Sequence, residues 1–135
     1  ALLAEHWPAH DLLIMAAAVA DYRPNQWHDG KLERGKDMML HLTPTPDLVK
    51  QAAQSKLAHQ RVVAFALEDA AVLIERATAK MKRKGVDAIV ANPLATMDAP
   101  DISPTWITAD GSSLALDAMD KTAFARRLVA MATAL

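Results

Sequence analysis

The chain has 135 residues, of which 52% are hydrophobic, a formal net charge of -1 and no cysteine. This length suits one domain with a core of its own, and this charge provides no basic field for nucleic acid. The absence of cysteine excludes disulfides, thiolate metal sites and cysteine nucleophiles, and no apolar run reaches the roughly 20 residues that cross a bilayer. The composition therefore predicts a soluble, cytoplasmic protein with neither nucleic acid nor a membrane as partner.

The chain opens on an amphipathic helical pattern at residues 1–7, followed by an apolar run at residues 11–15. This run lacks polar alternation, which is typical of a parallel strand covered on both faces. Small residues follow at 16–20, where the strand ends. Ligands bind at the carboxyl ends of such strands, and methyl side chains let a nucleotide approach the backbone. Asp21 and Lys31 would add polar contacts, although tight helix packing and a surface turn are the alternative interpretation.

Residues 31–42 have the character of a small hairpin or arm, with an extended stretch at residues 38–42. A helix start follows, in which Thr45 is the expected cap, Pro46 lies in the first turn and Asp47 lies near the positive end of the helix dipole. This helix is expected to end near residue 59.

The second half alternates strands with helices and ends in a hairpin and a helix. We expect the following elements, in chain order: a buried strand at 61–67, a long helix closed by Gly85, a strand at 87–91, a loop at 92–104, a hairpin turning at Asp110-Gly111 and a helix from about Asp120 that buries Phe124, Leu128 and Met131. This order predicts an α/β fold with a doubly wound, mostly parallel, Rossmann-like sheet and an antiparallel edge. A complete layer of this kind needs one more βαβ unit, so residues 1–135 are expected to be a single domain that is incomplete at its amino terminus.

Several polar groups follow the predicted strands and would meet at one edge of the sheet. Lys80 and Lys84 share one face of their helix and could bind phosphate, although the pattern taken alone favours a solvated basic end that complements the helix dipole. Phe65 could flank a base or belong to the core. The five histidines lack metal-ligand spacing, and neither a GxGxxG nor a GxxxxGK[ST] motif occurs.

The order of motifs resembles phosphopantothenoylcysteine synthetase, the ligase of coenzyme A biosynthesis, in its bacterial CTP-dependent form. The similar blocks are AAAVADYRP at 16–24, Lys31 within KLER, TPDLV at 45–49, VVAFALED at 62–69, the lysine-bearing helix to Gly85 and DAIVAN at 87–92. The resemblance implies a Rossmann-like fold and a homodimer in which residues 31–42 are the dimerisation arm. It also implies that the native protein carries a flavin-dependent decarboxylase domain fused to this one.

The resemblance further implies a reaction in two steps. CTP activates the carboxylate of 4'-phosphopantothenate as an acyl-cytidylate, and L-cysteine then displaces CMP, with Mg²⁺ accompanying the triphosphate. Lys31 would be the catalytic cation. The nucleotide-binding residues implied by the match are Met15, Ala16, Ala17, Asp21, Lys31, Pro46, Asp47, Leu48, Val49, Phe65, Lys80 and Lys84, with no dedicated metal ligand.

The sequence departs from the family pattern at four places. Glu33 interrupts the usual lysine-rich stretch, Ala64 replaces a glycine, Glu68-Asp69 replaces an acid-threonine pair, and Thr105 replaces an asparagine. The family's amino-terminal half has no counterpart within these residues, so the chain is expected to supply the CTP-binding and dimer-forming part and to be inactive alone. The alternative functions are a non-catalytic nucleotide-binding or dimerisation module and a nicotinamide-dependent enzyme, the latter disfavoured by the missing glycine fingerprint.

Overall fold

A computed structural model describes residues 2–35 and 37–135, and within them four α-helices and nine strands are found. The helices are α1 (Leu2–His6), α2 (Leu48–Ser55), α3 (Leu73–Lys84) and α4 (Lys121–Thr133). The strands are β1 (Leu12–Ile14), β2 (Tyr22–Pro24), β3 (Leu42–Pro44), β4 (Arg61–Glu68), β5 (Ala88–Pro93), β6 (Asp101–Ile102), β7 (Thr105–Thr108), β8 (Ser113–Ala115) and β9 (Met119–Asp120). No described helix combines the length and the apolar character that a membrane span requires.

The chain divides into two compact units, and each is described by itself. The sheet unit comprises Ala1–Ala16 and Leu48–Leu135, and the hairpin unit comprises Ala17–Asp47. In the sheet unit, five strands lie in the order β1-β4-β5-β7-β8. The first three are parallel, and β7 and β8 are antiparallel to their neighbours. This topology confirms the predicted Rossmann-like sheet with its antiparallel edge.

Helices cover both faces of this sheet, because successive side chains of each strand point to opposite sides. In β4, Val62, Ala64 and Ala66 join one buried cluster, which also holds Trp7 and side chains of α2 and α3. Val63 joins the other buried cluster, with Trp106 and side chains of α4. The buried, unalternating apolar run that the sequence shows at this strand is thus explained by two cores, one on each face.

Helix ends and turns follow the sequence signals in most places. Gly85 closes α3 in the left-handed conformation, with a φ of 71°. Asp120 caps α4, since its side chain accepts hydrogen bonds from the amides of Thr122 and Ala123. At the β7–β8 turn, Asp110 accepts hydrogen bonds from the Thr108 hydroxyl and from the amide and hydroxyl of Ser112, which holds the pKa of Asp110 below its usual value.

A buried polar side chain joins the segment that follows α1 to the amino edge of the sheet. Gln60 is 1% exposed, and its amide nitrogen donates to the carbonyl oxygens of Trp7 and His10 while its Oε1 accepts from the amide of Leu57. The indole of Trp7 donates to the carbonyl of Ala52 in α2 at 3.0 Å. The opening helix predicted from the sequence is present as α1, and the segment directly after it is held by hydrogen bonds to residues more than 40 positions away.

The hairpin unit is built on an antiparallel pair of short strands, β2 and β3. Their ladder is extended by the Thr45 amide, which donates to the Asp21 carbonyl, and by the Asn25 amide, which donates to the His41 carbonyl. No described residue of the unit is buried, and Trp27 is 91% exposed. The strands thus flank the segment 25–41, whereas an extended stretch was expected inside 38–42; among the described residues, β-structure there begins at Leu42.

Two further expectations about local structure are wrong. Helix α2 begins at Leu48 and is not capped by Thr45, because the Thr45 hydroxyl donates to the Ala20 carbonyl within the hairpin unit. The helix also ends at Ser55, before the expected end near residue 59. The predicted loop 92–104 contains a short 3-10 turn at Leu94–Thr96 and strand β6, which pairs with β9. Two-residue strands carry too little periodicity to be detected in a sequence.

Candidate functional site

The carboxyl edge of the parallel strands gathers some of the predicted site residues. Met15 follows β1 directly, and its amide donates to the Val63 carbonyl at 2.9 Å, which continues the β1–β4 ladder. Phe65 lies two residues beyond Val63 in β4, where it is partly buried against the cluster below α4. Ala16, which is exposed, comes next after Met15. The structure therefore places Met15, Ala16 and Phe65 at one edge, where open α/β sheets bind ligands.

Asn92 is a functional candidate that the sequence analysis left out of the site. It lies in β5 opposite Leu67, and Phe65 is paired with Val90 in the same register. Since Val90 belongs to the cluster below α4, the alternation of β5 puts Asn92 on the same face as Phe65. Its Oδ1 atom is buried and has no hydrogen-bond partner within the described part of the chain. A buried acceptor without a partner is costly, and a bound donor would remove the cost.

One sequence signal could have identified Asn92. It is the polar residue that directly follows the buried apolar run 88–91, at the point where the parallel strand reaches the ligand-binding edge. Residues 92–104 were predicted only as a loop, so Asn92 received no role.

Glu68 ends β4 and pairs with α3. Its Oε2 accepts a hydrogen bond from Arg76 Nη1 at 3.0 Å, and the side chains of Glu68 and Arg76 are 26% and 61% exposed. In the β4–β5 register, Glu68 lies opposite Pro93, next to Asn92. A carboxylate oriented by an arginine therefore stands at the same edge as Asn92.

Leu48 and Val49 begin α2, and both are partly buried. The helix packs on β4 and leads through residues 56–60 into the first residue of that strand. Because α2 ends near the start of β4, its own first turn points to the opposite, carboxyl edge. The predicted contribution of Leu48 and Val49 to the site is consistent with this orientation.

Lys80 and Lys84 lie on α3, which runs back from the carboxyl edge to the amino edge. The helix starts five residues after β4 ends, and just beyond the helix the Asp87 amide donates to the carbonyl of Val62, near the start of β4. With a rise of about 1.5 Å per residue, Lys80 lies about 10 Å and Lys84 about 16 Å along the axis from Leu73. Lys80 therefore lies nearer the carboxyl edge than Lys84.

The remaining predicted site residues belong to the hairpin unit: Ala17, Asp21, Lys31, Pro46 and Asp47. All of them are exposed. Gly30, with a φ of 92°, makes the turn that directly precedes Lys31. The predicted site is thus divided between the two units. Within residues 2–35 and 37–135, no cluster of three or more histidine, aspartate or glutamate side chains is arranged to hold a metal ion.

Comparisons with known proteins agree with this architecture. Residues 1–135 match the family model of the DNA/pantothenate metabolism flavoprotein C-terminal domain. The coenzyme A biosynthesis bifunctional protein CoaBC of Mycobacterium bovis is 34% identical over 140 aligned positions, which cover 94% of this chain and 34% of that protein. A cysteine/cysteine sulfinic acid decarboxylase from an unknown prokaryotic organism is 42% identical over 85 positions, 62% of this chain and 23% of that protein.

A solved structure gives the same result for the fold. The crystal structure of the C-terminal domain of CoaBC superposes with a TM-score of 0.75 and 28% identity, covering 96% of this chain and 57% of that one. The chain spans about a third or less of the length of the curated relatives described above. The match along all 135 residues shows that the chain belongs to the family of the DNA/pantothenate metabolism flavoprotein C-terminal domain.

Proposed function

We propose that the chain is the CTP-binding part of a phosphopantothenate–cysteine ligase of coenzyme A biosynthesis. In this reaction, the carboxylate of 4'-phosphopantothenate attacks the α-phosphorus of CTP and releases pyrophosphate, and the amine of L-cysteine then attacks the acyl-cytidylate and releases CMP. The CoaBC relative, which is named for coenzyme A biosynthesis, supports the pathway. Because one aligned relative is named for coenzyme A biosynthesis and another for a decarboxylase, nucleotide binding is the property to test directly.

The observation that carries the proposal is that Phe65 lies on one face of the carboxyl edge together with the buried Asn92 Oδ1, which has no hydrogen-bond partner among the described residues. An aromatic ring provides a surface for a base, and an amide oxygen accepts a hydrogen bond from an exocyclic amino group. Cytosine has such an amino group and uracil has none. Met15 and Ala16, next to this position, would contact the nucleotide through main-chain groups.

The triphosphate would be bound by Lys31, whose ammonium is a suitable point charge for phosphate oxygens and for the charge that builds up during nucleotidyl transfer. Mg²⁺ binds in such sites through one or two carboxylates together with the phosphates, and there it neutralises phosphate charge. The exposed carboxylate of Asp21 fits that limited role. Ala17, Pro46, Asp47, Leu48 and Val49 complete the proposed set, with Lys80 and Lys84 on α3.

Isothermal titration with CTP and Mg²⁺ tests the proposal on the complete polypeptide that carries this chain. We expect CTP to bind more tightly than UTP. Substituting Lys31 by alanine should weaken CTP binding by about tenfold or more and CMP binding much less, since a hydrogen bond to a charged group is worth about 1.5–3 kcal/mol. Lys121→Ala, at the exposed start of α4, is the matched control. Absence of CTP binding to the unaltered protein would contradict the function.

Asn92→Leu tests the recognition of the base. The leucine has a similar size but offers no acceptor, so the preference for CTP over UTP should disappear. Asn25→Leu makes the same change in the hairpin unit, where Asn25 Oδ1 accepts from the Thr43 hydroxyl, and should leave the preference intact. A preference that survives in Asn92→Leu would remove Asn92 from the site.

The two lysines of α3 can be separated in the same assay. Both are implied by the resemblance, but the direction of α3 favours Lys80. Lys80→Ala should therefore weaken CTP binding more than Lys84→Ala. Equal losses would mean that the phosphates extend along α3 toward the amino edge.

We also propose that the chain forms a homodimer through the hairpin unit, with residues 31–42 as its arm. Several large apolar side chains of this unit are exposed: Trp27, Leu32, Met38, Met39, Leu40 and Leu42. Exposed apolar groups of this density mark interaction surfaces. In sedimentation, Leu40→Asp should give monomers, whereas Leu114→Asp, at an equally exposed leucine of β8, should not. A dimer that persists in Leu40→Asp would locate the interface elsewhere.

A further inference from the structure

The ion pair between Glu68 and Arg76 stands at the carboxyl edge and has little to do with stability. The side chain of Arg76 is 61% exposed, and ion pairs this exposed to solvent contribute little to stability. The pair fixes the orientation of the Glu68 carboxylate. Arg76 lies on the first turns of α3, and it holds Oε2 of the last residue of β4, which leaves Oε1 of Glu68 without a hydrogen bond from any described residue.

The charge of this carboxylate would normally repel a nucleotide. Arg76 compensates it at 3.0 Å, so the pair as a whole is neutral and retains one strong hydrogen-bond acceptor. A pair with a directed acceptor suits a hydroxyl donor.

The position of Glu68 relative to the proposed base site also suits a sugar. Glu68 lies three residues beyond Phe65 in β4, about 10 Å farther toward the open edge, and strand alternation puts its side chain on the face of α3, opposite the face of Phe65 and Asn92. A nucleoside whose base contacts Phe65 and Asn92 brings its sugar to Glu68 if it extends across the end of β4 from one face to the other. In dinucleotide-binding sheets, an acidic residue at a strand end accepts a hydrogen bond from the ribose in a comparable way.

The geometry points to Glu68 as the acceptor for a ribose hydroxyl of the bound nucleotide, with Arg76 as the residue that positions it. This inference rests on the proposed function, because it assumes that a nucleoside triphosphate binds at this edge. It assigns to Glu68 the discrimination between ribose and deoxyribose.

Titration of the complete polypeptide with CTP, 2'-deoxyCTP and 3'-deoxyCTP tests the inference. The unaltered protein should bind CTP about tenfold more tightly than at least one deoxy analogue. In Glu68→Ala, the affinity for CTP should fall to that of this analogue, whose own affinity should hardly change. Arg76→Met keeps the apolar stem and removes the charge, and it should reduce the discrimination in part. Glu75→Ala, an exposed acid on the same helix, is the matched control and should change nothing.

Each other outcome overturns the inference. Equal weakening of CTP and both analogues in Glu68→Ala would show that the ion pair only holds α3 in place. Equal binding of all three nucleotides by the unaltered protein would show that no group reads the sugar, while the proposed function would stand. Absence of binding of any of the three would overturn both. Glu68→Gln, which retains an amide acceptor, should keep part of the discrimination and guards against a folding defect in the alanine variant.

Discussion

The sheet unit and the hairpin unit keep their conformations by different means. All buried hydrophobic residues among those described belong to the sheet unit. The hairpin unit holds half of the large apolar side chains that are exposed, although it comprises only residues 17–47. Its order comes from the β2–β3 ladder and from polar contacts such as that of the Thr45 hydroxyl with the Ala20 carbonyl. Burial therefore defines the scaffold, whereas the unit that carries Lys31 uses its apolar residues for something other than a core.

The largest effect should come from identical substitutions made in the two units. Met81 is 2% exposed in α3, and Met39 is 81% exposed in the hairpin unit. Met81→Ala leaves a cavity and should lower the free energy of unfolding by about 2–5 kcal/mol. Met39→Ala should change it by less than about 0.5 kcal/mol. Urea denaturation measures both free energies of unfolding. A similar decrease in the two variants would mean that Met39 also packs in a core.

A smaller effect on stability should distinguish alanine substitutions at two glycines, one in each unit. Gly85 has a φ of 71° at the end of α3, whereas Gly35 in the hairpin unit is not among the glycines with positive φ. Gly85→Ala should cost about 1 kcal/mol, because alanine is strained in the left-handed conformation. Gly35→Ala should be neutral or stabilise by up to about 1 kcal/mol through the unfolded chain. Thermal unfolding checks the signs, and equal destabilisation by both changes would show that Gly35 is also conformationally required.

The smallest effect concerns Asp110. This residue is exposed, like most described residues of the hairpin unit, but its side chain is fixed by hydrogen bonds from Thr108 and Ser112. These bonds lower its pKa in the folded state from the ordinary 3.8. The stability they add is therefore complete above pH 3.8 and is lost as the pH falls through the lowered value. The difference in unfolding midpoint between the unaltered protein and Asp110→Asn should shrink over that range. A difference that stays constant with pH would contradict the role of the carboxylate.

The sequence predicted those elements whose signals are local and repeated. Strand β4 and helices α3 and α4 were recognised because an apolar run, a closing Gly85 and a capping Asp120 each act within a few residues. The antiparallel β7–β8 edge followed from the turn at Asp110-Gly111 for the same reason. Most residues of the candidate site were predicted from the family resemblance and not from local sequence patterns.

The errors arose where distant contacts decide local structure. Thr45 satisfies every rule for a helix cap, but its hydroxyl and amide are used by Ala20 and Asp21, more than 20 positions earlier. Strand β6 exists only through its pairing with β9. The packing of the described residues leaves the buried Asn92 Oδ1 without a hydrogen-bond partner among them. The pairing of Glu68 with Arg76 depends on how α3 returns along β4. None of these can be read from neighbouring residues.

The three tryptophans of the chain lie in three different environments. Trp7 is 5% exposed in the cluster below α2 and α3, Trp106 is 8% exposed in the cluster on the other face, and Trp27 is 91% exposed in the hairpin unit. Variants that retain one tryptophan each would therefore give three separate fluorescence signals, one for each side of the sheet and one for the hairpin unit. Emission from the variant that retains Trp27 would report assembly of the hairpin unit, and emission from the two variants that retain a buried indole would report unfolding, so that the two events can be followed separately.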